Sequence, residues 1–484
     1  MNRLLMCLTM LLFFAGLATA IDVSGEIKTT IWTAANSPYR VTDSILVPTG
    51  NTLTIDPGVD VLFNVDVPFV VEGALRVHGT EIDSVRFIKG TASRWGGIRI
   101  SGGDSISLVY TRVSDADGSS SMFGRGGGIY CTGTGTRLKM SHCSIVRNTA
   151  DYGGGIFCLG CAVIELVNCT ISENQAIKGT GGIYVGASSV TLDSCTIRDN
   201  VALPYYKLSA DQSAAMPKTC TISGVRYYSV GGIQIGSCFR AVLTDCDISG
   251  NTGGTAGGVY SSRTSTKLVR CLISGNLGTP LLHTGYHSTA TLINCILYGN
   301  TGGYTIKLED FSFVTLTNCI VWNNATEGVR LSPGCDITYT YSNILSDPLF
   351  VDAENGDFRL QSGSPCIGTG EGGADMGAFG WITTDSNNSV VFPLVYLRQN
   401  TPNPFNPTTT IAFTLANDGV VSLRVYNALG QQVRTLVNRH TTAGHHTVTW
   451  NGRDDRGNAV ASGVYLYRLV TGDKVMVKRM TLVR

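Results

Sequence analysis

The chain has 484 residues, which is enough for two to four domains. Charged residues make up only 15% of it and the formal net charge is +1, so charge gives no argument for binding nucleic acid or an anionic membrane. After the N-terminus no stretch reaches the roughly 18 apolar residues of a membrane-spanning helix, so no transmembrane span is predicted.

Residues 1–20 have the pattern of a secretory signal peptide. Arg3 supplies the positive start, residues 4–17 are an apolar run, and Ala18, Thr19 and Ala20 form a small-x-small cleavage site. A membrane anchor is the alternative, and the shortness of the run disfavours it. We therefore expect an exported protein that retains fourteen of its fifteen cysteines, since Cys7 lies in the removed segment.

A repeat of 24–26 residues occupies the centre of the chain. It is marked by eight cysteines, namely Cys143, Cys169, Cys195, Cys220, Cys246, Cys271, Cys295 and Cys319. An asparagine follows five residues after seven of them, at Asn148, Asn174, Asn200, Asn251, Asn276, Asn300 and Asn324. The unit at Cys220 has Val225 there, so it keeps the period and loses the motif. A fixed period of this size indicates stacked structural repeats.

Each repeat contains three short apolar segments separated by Gly, Asn and Asp. The first follows a glycine pair, as in "GGGIY" at 126–130, the second alternates, as in "VTLD" at 190–193, and the third begins at the cysteine, as in "CTI" at 195–197. Such segments are short enough and β-branched enough to be strands joined by turns. Three strands per repeat predict an all-β fold, a right-handed parallel β-helix of about a dozen coils between residues 42 and 346. A leucine-rich repeat is disfavoured because its leucine spacing and helical segment are missing.

Stacked coils place equivalent residues in ladders about 4.8 Å apart. The repeated cysteine is therefore predicted to be a small apolar core residue, mostly in the reduced form. Cys131 and Cys158, each two residues after an inward isoleucine in adjacent coils, are the pair expected to come within disulfide reach. The repeated asparagine is predicted at a turn, where it tolerates a left-handed backbone and hydrogen-bonds its neighbours in adjacent coils.

The segments "LTIDPGVDVLF", "VEGALRVHGTEIDSVRFI" and "DPLFVDAENGDFRLQSGSPCIGTG" resemble a known family, the exported bacterial proteins with right-handed β-helix repeats. The first two look like the family's opening coils and the third, at 347–370, like its closing segment. The resemblance implies a β-helix domain at 21–380, in which residues 347–380 cap the last coil.

The C-terminal part changes character. Residues 381–396 contain the polar stretch "SNNS" and are predicted to be a linker, and residues 397–484 alternate like the strands of a small antiparallel sandwich. "NPFNP", "NALGQQV" and "WNGRDDRGNAVASGVY" resemble the type IX secretion sorting domain, also described as a FlgD-like immunoglobulin-like domain. The resemblance implies recognition by outer-membrane secretion machinery and placement outside the cell or on its surface.

The sequence contains no recognisable catalytic motif, so we predict no catalytic residue and no cofactor. Asp193, Asp199, Asp245 and Asp247 lie near turns but do not share one ladder, so solvated turn carboxylates are favoured over a lyase site. "CLGC" at 158–161 has the spacing of metal ligands, but no second cysteine or histidine pair accompanies it, and no metal site is predicted.

The glycine-pair strands offer the candidate binding residues. If their isoleucines point inward, alternation turns Tyr130, Phe157, Tyr184 and Tyr260 outward, with Gln234 interrupting the series. Stacked, exposed aromatic rings are suited to binding sugar rings; the other interpretation is that they stabilise neighbouring coils.

The favoured function is a secreted or cell-surface structural or binding protein, with polysaccharide as the hypothetical ligand. Its β-helix would be displayed and its C-terminal domain would route and anchor it. The alternative is a polysaccharide lyase or glycoside hydrolase of the β-helix type with a divergent active site, since enzymes of that kind share the fold.

Overall fold

A computed structural model describes residues 20–102, 105–120, 124–203, 229–324 and 328–379 of the β-helix part, and 396–397, 400, 403–415, 418–427, 430–442, 444–472 and 474–483 of the C-terminal part. The predicted signal peptide, apart from Ala20, and the predicted linker, apart from Tyr396, lie outside these residues. The described chain has no α-helix. It contains short 3-10 turns at Ala34–Asn36, Gly118–Ser120, Ala353–Asn355 and Glu371–Gly373.

The strands that follow the glycine pairs stack into the first face of a parallel β-helix. The first strand of this face is the second half of the long strand Tyr39–Val47. It pairs with the first of the short strands, Phe69–Val71. The short strands are Phe69–Val71, Ile98–Ile100, Ile129–Thr132, Ile156–Leu159, Ile183–Gly186, Ile233–Gly236, Val259–Ser262, Leu282–Gly285, Ile306–Leu308 and Val329–Leu331.

The second face is a parallel sheet of twelve strands, one from each coil, which agrees with the predicted dozen coils. Its strands are Thr30–Trp32, Thr52–Ile55, Ala74–His78, Ser105–Val109, Arg137–Ser141, Val163–Val167, Ser189–Asp193, Arg240–Thr244, Ser265–Val269, Thr289–Ile293, Phe313–Thr317 and Asp336–Thr340.

The third face contains the strands that start next to the repeated cysteines. They are Asp60–Phe63, Val85–Lys89, Thr111–Ser114, Ser144–Val146, Thr170–Ser172, Thr196–Arg198, Asp247–Ser249, Leu272–Ser274, Ile296–Tyr298 and Ile320–Trp322. The N-terminal strand Ile21–Glu26 pairs with Tyr39–Val47, and three coils add two-residue strands at a corner, Thr149–Ala150, Gln175–Ala176 and Val201–Ala202.

The three faces enclose one continuous apolar core. Alternation along each strand points every second side chain inward, so isoleucines such as Ile129, Ile156 and Ile183 stack in register and are fully buried. The repeated cysteine is buried in seven of the eight predicted units and lies in the same core, as predicted. All thirteen described cysteines are free thiols.

The repeated asparagines form a buried ladder inside the corner after the third face. The Nδ2 of each one donates to the Oδ1 of the next asparagine, at 2.7–3.0 Å, from Asn148 to Asn324. The predicted hydrogen bonding between coils is therefore confirmed, but the predicted backbone is wrong. The left-handed residue is the one before the asparagine, for example Arg147 at φ 55° and Glu173 at φ 58°. That residue forms the turn, and the asparagine that follows it points its side chain into the core.

Among the described residues the cysteine ladder passes directly from the coil of Cys195 to the coil of Cys246, so the predicted place of Cys220 between them is wrong. The strand Ile183–Gly186 pairs directly with Ile233–Gly236, and Asn200 hydrogen-bonds directly to Asn251. The two coils on either side of residues 204–228 are therefore neighbours. Cys220 itself lies outside the described residues. Its unit kept the period because this segment has about the length of one coil.

The closing segment lies beside the stack instead of over its end. Its antiparallel strands Phe350–Asp352 and Asp357–Leu360 belong to a small core that includes Ile296 and Ile320, which point outward from the third face. The last strand of the first face, Val329–Leu331, keeps an exposed edge, with its two inward residues 37% and 44% exposed. The prediction that this segment hides the open end of the last coil is therefore not met.

The C-terminal part is a β-sandwich of seven described strands with its own core, as predicted. One sheet contains Tyr396–Leu397, Thr409–Leu415 and Gly444–Trp450; the other contains Gln432–Thr441, Gly419–Asn427, Gly463–Thr471 and Lys474–Leu482. Trp450 and Tyr467 are buried between the sheets. Within the described residues we find no helix with the length and apolarity needed to cross a membrane.

Candidate functional site

One row of side chains points outward along the first face, and we call it the outward row. It is held in register by the parallel pairing of successive strands. Its members are Arg99, Tyr130, Phe157, Tyr184, Gln234, Tyr260, His283, Lys307 and Arg330. The row thus has aromatic residues at its centre and cationic residues at both ends.

Three aromatic residues of the outward row, Tyr130, Phe157 and Tyr184, stack on one another as predicted. The ring centroids of Tyr130 and Phe157 are 5.8 Å apart with planes at 18°, and those of Phe157 and Tyr184 are 4.4 Å apart at 11°. Because the ring faces are occupied by neighbouring rings, they are not open to a sugar ring. The contacts observed are those of the stabilising interpretation.

The outward side chains are more buried than alternation alone predicts. Phe157, Tyr184 and Tyr260 are almost completely inaccessible, while Tyr130 is partly exposed. Gln234 interrupts the aromatic series as predicted, and its Oε1 accepts a hydrogen bond from the Thr180 hydroxyl at 2.8 Å. The expectation that the four aromatic residues form an exposed stack is therefore met only in part, at Tyr130.

The N-terminal end of the outward row carries two guanidinium groups. Arg99 lies 5.8 Å from the centre of the Tyr130 ring, and Arg125 lies 5.4 Å from the centre of the Phe157 ring. Arg99 donates to the carbonyl oxygens of Arg125 and Gly126. Burial lowers the pKa of Arg99 to about 10, so it remains charged at neutral pH.

The other end of the row contains a buried histidine linked to a half-exposed carboxylate. His283 Nε2 is 3.0 Å from Glu309 Oε2, and Glu309 Oε1 is 2.6 Å from Lys307 Nζ. Burial, together with the nearby charge of Lys307, lowers the pKa of His283 to about 4, so the imidazole is neutral near pH 7. Nε2 therefore donates to the carboxylate. The Tyr260 ring meets the imidazole edge to face at 4.8 Å.

Beyond this histidine the row opens to solvent. The exposed Arg330 lies 5.3 Å from the centre of the Tyr304 ring, and its guanidinium is 3.3 Å from the Tyr304 hydroxyl. We call Tyr304, Lys307, Glu309 and Arg330 the open end. The sequence did not reveal the open end for two reasons. Tyr304 and Glu309 lie outside the strand positions that follow the glycine pairs, and Lys307 and Arg330 are cations that do not continue the aromatic series.

The four aspartates that the sequence placed near turns do not form a site. Asp245 is held by both guanidinium nitrogens of Arg270, at 2.7 and 2.8 Å. Asp193 accepts from the Ser194 hydroxyl, and the largely exposed Asp199 lies 3.9 Å from Arg198. Within the described residues, one group of three potential metal-ligand atoms lies close together, and all three atoms are cysteine sulfurs. No such group that includes a carboxylate oxygen is present in those residues.

His445 and His446 lie in the strand Gly444–Trp450 of the sandwich. His446 stacks on Phe413 at 5.2 Å, and its Nε2 is 2.8 Å from the Thr442 carbonyl oxygen. His446 belongs to no group of three potential metal ligands among the described residues.

Three solved structures that resemble the chain do so distantly. PorZ, an essential bacterial surface component of the type IX secretion system of Porphyromonas gingivalis, is 26% identical over 21% of this chain and 13% of its own, with a TM-score of 0.15. The periplasmic alginate epimerase AlgG is 13% identical over 66% of this chain and 85% of its own, with a TM-score of 0.40. Tailspike protein 2 of Escherichia coli O157:H7 bacteriophage CAB120 is 9% identical over 96% and 64%, with a TM-score of 0.30. Scores this low carry no functional argument.

No curated protein sequence matches the chain. Two family models do match it. Residues 72–213 and 181–345 match the right handed beta helix region, which together is more than half of the chain, and residues 400–474 match the FlgD Ig-like domain. The chain therefore belongs to the right-handed β-helix family and has a FlgD Ig-like domain near its C-terminus.

Proposed function

We propose that this chain is an exported cell-surface protein that displays its β-helix as a binding surface for polysaccharide. The observation that carries the proposal is the open end, where Tyr304, Lys307, Glu309 and the exposed Arg330 lie together at the end of the outward row.

The open end supplies the chemistry that sugar binding needs. Tyr304 offers an apolar ring and a hydroxyl group, and Lys307, Glu309 and Arg330 offer donors and acceptors for sugar hydroxyls. The neighbouring imidazole is neutral because burial lowers the pKa of His283 to about 4. The buried part of the row, from Phe157 to His283, has the role of holding this surface rigid.

The binding experiment compares variants of the mature chain on immobilised bacterial surface polysaccharides. Tyr304→Ala and Arg330→Ala should each weaken binding at least about tenfold, which corresponds to about 1.4 kcal/mol. Lys267→Ala is the matched control, since it removes an exposed cation from the second face and should leave binding unchanged. Equal binding by all three variants would reject the open end as the binding site.

The proposal assigns export to the C-terminal domain. It is supported by the resemblance of residues 397–484 to a type IX sorting domain and by the predicted signal peptide at residues 1–20. The partner of this domain is the outer-membrane secretion machinery, and the β-helix carries the binding function.

A polysaccharide-cleaving enzyme is the second candidate, and one observation favours it. The neutral His283 is oriented by Glu309, with Lys307 and Tyr260 beside it, which are residue types that can abstract a proton and stabilise the resulting anion. His283 is only 4% exposed, which disfavours direct contact with a polymer. Release of reducing ends or unsaturated sugars by the wild type, abolished in His283→Gln, would replace the binding proposal with this one.

A further inference from the structure

Three of the cysteines outside the ladder of the third face come together at one place in the core. Cys131 and Cys158 point inward from adjacent strands of the first face, in register with each other. The residues before and after them in the same inward column are Ile100 and Val185. The column is therefore filled by β-branched side chains in the flanking coils, and cysteine replaces them in two coils only.

The third cysteine comes to the same point from a corner of the coil. Cys161 follows Cys158 by three residues and lies between the first and second faces, and its Sγ is 3.4 Å from the Sγ of Cys131. The three sulfur atoms all lie within 4.8 Å of one another, and each residue is at most 2% exposed. Three thiols from two coils thus converge at one place in the core.

The corner position of Cys161 is occupied by Ser188 and Cys238 in the next two coils, so a cysteine there does not by itself indicate a ligand. In the next coil the residue beside this corner is Ser188, whose hydroxyl accepts the backbone N–H of Cys161 at 2.9 Å and donates to the Gly186 carbonyl oxygen. Cys238 makes the corresponding contact in its own coil, with its Sγ 3.5 Å from the Gly236 carbonyl oxygen. What distinguishes Cys161 is that its sulfur also lies beside two other sulfurs, those of Cys131 and Cys158.

We propose that Cys131, Cys158 and Cys161 bind one thiophilic divalent d10 cation of the zinc class. Metal–sulfur bonds of about 2.3 Å place the sulfurs of a three-thiolate site about 4 Å apart, which lies within the separations observed. Binding forms three metal–sulfur bonds and releases three protons, with no change of oxidation state. Three thiolates with a divalent ion leave a charge of −1, whereas a monovalent ion would leave −2, and an apolar core disfavours the larger charge.

The bound ion would fix the strands that carry the start of the aromatic stack. Tyr130 and Phe157 immediately precede Cys131 and Cys158, so the ion would join the two coils from the inside at the point where the rings stack on the outside. This metal site is independent of the proposed polysaccharide binding, and either can fail without the other.

The test uses substitutions that the neighbouring coils already accommodate. Cys131→Val and Cys158→Val place in the column the kind of residue found at Ile100 and Val185, and Cys161→Ser matches Ser188. Cys195→Ala is the control, because it removes an equally buried cysteine from the separate ladder. Each mature chain is unfolded with reductant, refolded with Cd²⁺, and freed of loosely bound metal.

We expect one Cd²⁺ per chain in the wild type and in Cys195→Ala, with sulfur-to-cadmium charge-transfer absorption and a raised melting temperature. We expect at least a tenfold loss of affinity in each of the three other variants, with the metal-free melting temperatures close to that of the wild type. If the valine variants fail to fold, Cys161→Ser decides alone. Retention of the metal by Cys161→Ser, no binding by the wild type, or a Cys131–Cys161 disulfide in protein purified from the exporting cell would each overturn the proposal.

Discussion

Each buried asparagine of the ladder uses its whole amide group, and this sets the effect of replacing it. Asn200 Nδ2 donates to the Ile171 carbonyl oxygen at 2.9 Å and to Asn251 Oδ1 at 3.0 Å. Its Oδ1 accepts from the backbone N–H and the side-chain amide of Asn174, at 3.1 and 2.9 Å. Replacing Asn200 with aspartate, which has the same shape but lacks the two N–H donors, therefore removes two hydrogen bonds and leaves a carbonyl oxygen buried without its donor.

Asn200→Asp is expected to lower the free energy of unfolding by about 3 kcal/mol or more at pH 7, since each unsatisfied buried group costs roughly 1–3 kcal/mol and the new carboxylate faces oxygen atoms. Denaturant unfolding measures the loss. Asn168→Asp is the matched control: Asn168 is exposed, and the equivalent position of another coil is occupied by Asp245. Similar losses in both variants would contradict the buried ladder.

At the scale of the strand, the glycine pairs permit the close approach of successive coils. A Cβ on Gly182 would lie 2.4 Å from the carbonyl oxygen of Gly232 in the next coil, which is backbone and has no other rotamer to adopt. A Cβ on Gly236 would meet only the Ser262 hydroxyl, at 3.2 Å. The glycine that opens the strand is thus required by packing between coils, and the glycine that closes it is not.

Gly182→Ala is expected to lower the free energy of unfolding by about 1–3 kcal/mol, the usual cost of overpacking a core. Gly236→Ala should be close to neutral. Thermal unfolding followed by circular dichroism compares the two variants. A neutral Gly182→Ala would show that the coils can separate enough to accept a methyl group at this corner.

The buried histidine at the end of the outward row makes stability depend on pH. Burial lowers the pKa of His283 from 6.5 to about 4, so between these values the unfolded chain binds a proton that the folded chain does not. Stability contributed by this group is therefore present above pH 6.5 and lost as the pH falls towards 4. The loss approaches about 3 kcal/mol, since one pKa unit corresponds to about 1.4 kcal/mol.

His283→Gln should remove this part of the pH dependence, because glutamine does not titrate and occupies the same row at Gln234. The measurement is the difference in unfolding free energy between pH 7 and pH 5, which should be smaller in the variant than in the wild type. His78→Gln, at an exposed position of the second face, should leave the difference unchanged. An unaltered pH dependence in His283→Gln would mean that the imidazole is accessible to protons in the folded chain.

At the scale of the whole molecule, the β-helix and the sandwich have separate cores. The buried residues of the first run from Ile27 to Cys319, and those of the second from Leu397 to Leu482. Because solenoid coils depend on their immediate neighbours, removing residues from about 394 onward should leave a folded β-helix that no longer reaches the cell surface. Cell fractionation in a host with the type IX system tests this. Surface display of the shortened chain would rule out the sorting role.

A cut after residue 346 should have a different result. It removes Phe358, Leu360 and Met376, which pack on Ile296 and Ile320, and so exposes an apolar patch on the third face. We expect this shorter chain to aggregate during size-exclusion chromatography, whereas the chain cut at about 394 stays monodisperse. A monodisperse short chain would mean that the closing segment is dispensable for the stack.

The sequence by itself determined the architecture, because the fold is a local repeat. Three strands, the left-handed turns between them and the inward cysteine all recur within 24–26 residues, so neighbouring residues contain the information for one coil and its copies. The sandwich was equally predictable, since its strands alternate and its turns are marked by glycine and aspartate. The stacking of Tyr130, Phe157 and Tyr184 also followed from the register of the repeat.

Only the tertiary structure decided which coils are neighbours and which side chains meet. The unit at Cys220 has the correct period but no place between the coils at 183 and 233, because a period reports segment length and not strand pairing. The burial of Phe157 and Tyr260 depends on what covers the outward row, which alternation within a strand does not specify. The third sulfur beside "CLGC" comes from Cys131, 27 residues before Cys158, and the register between two coils brings it there.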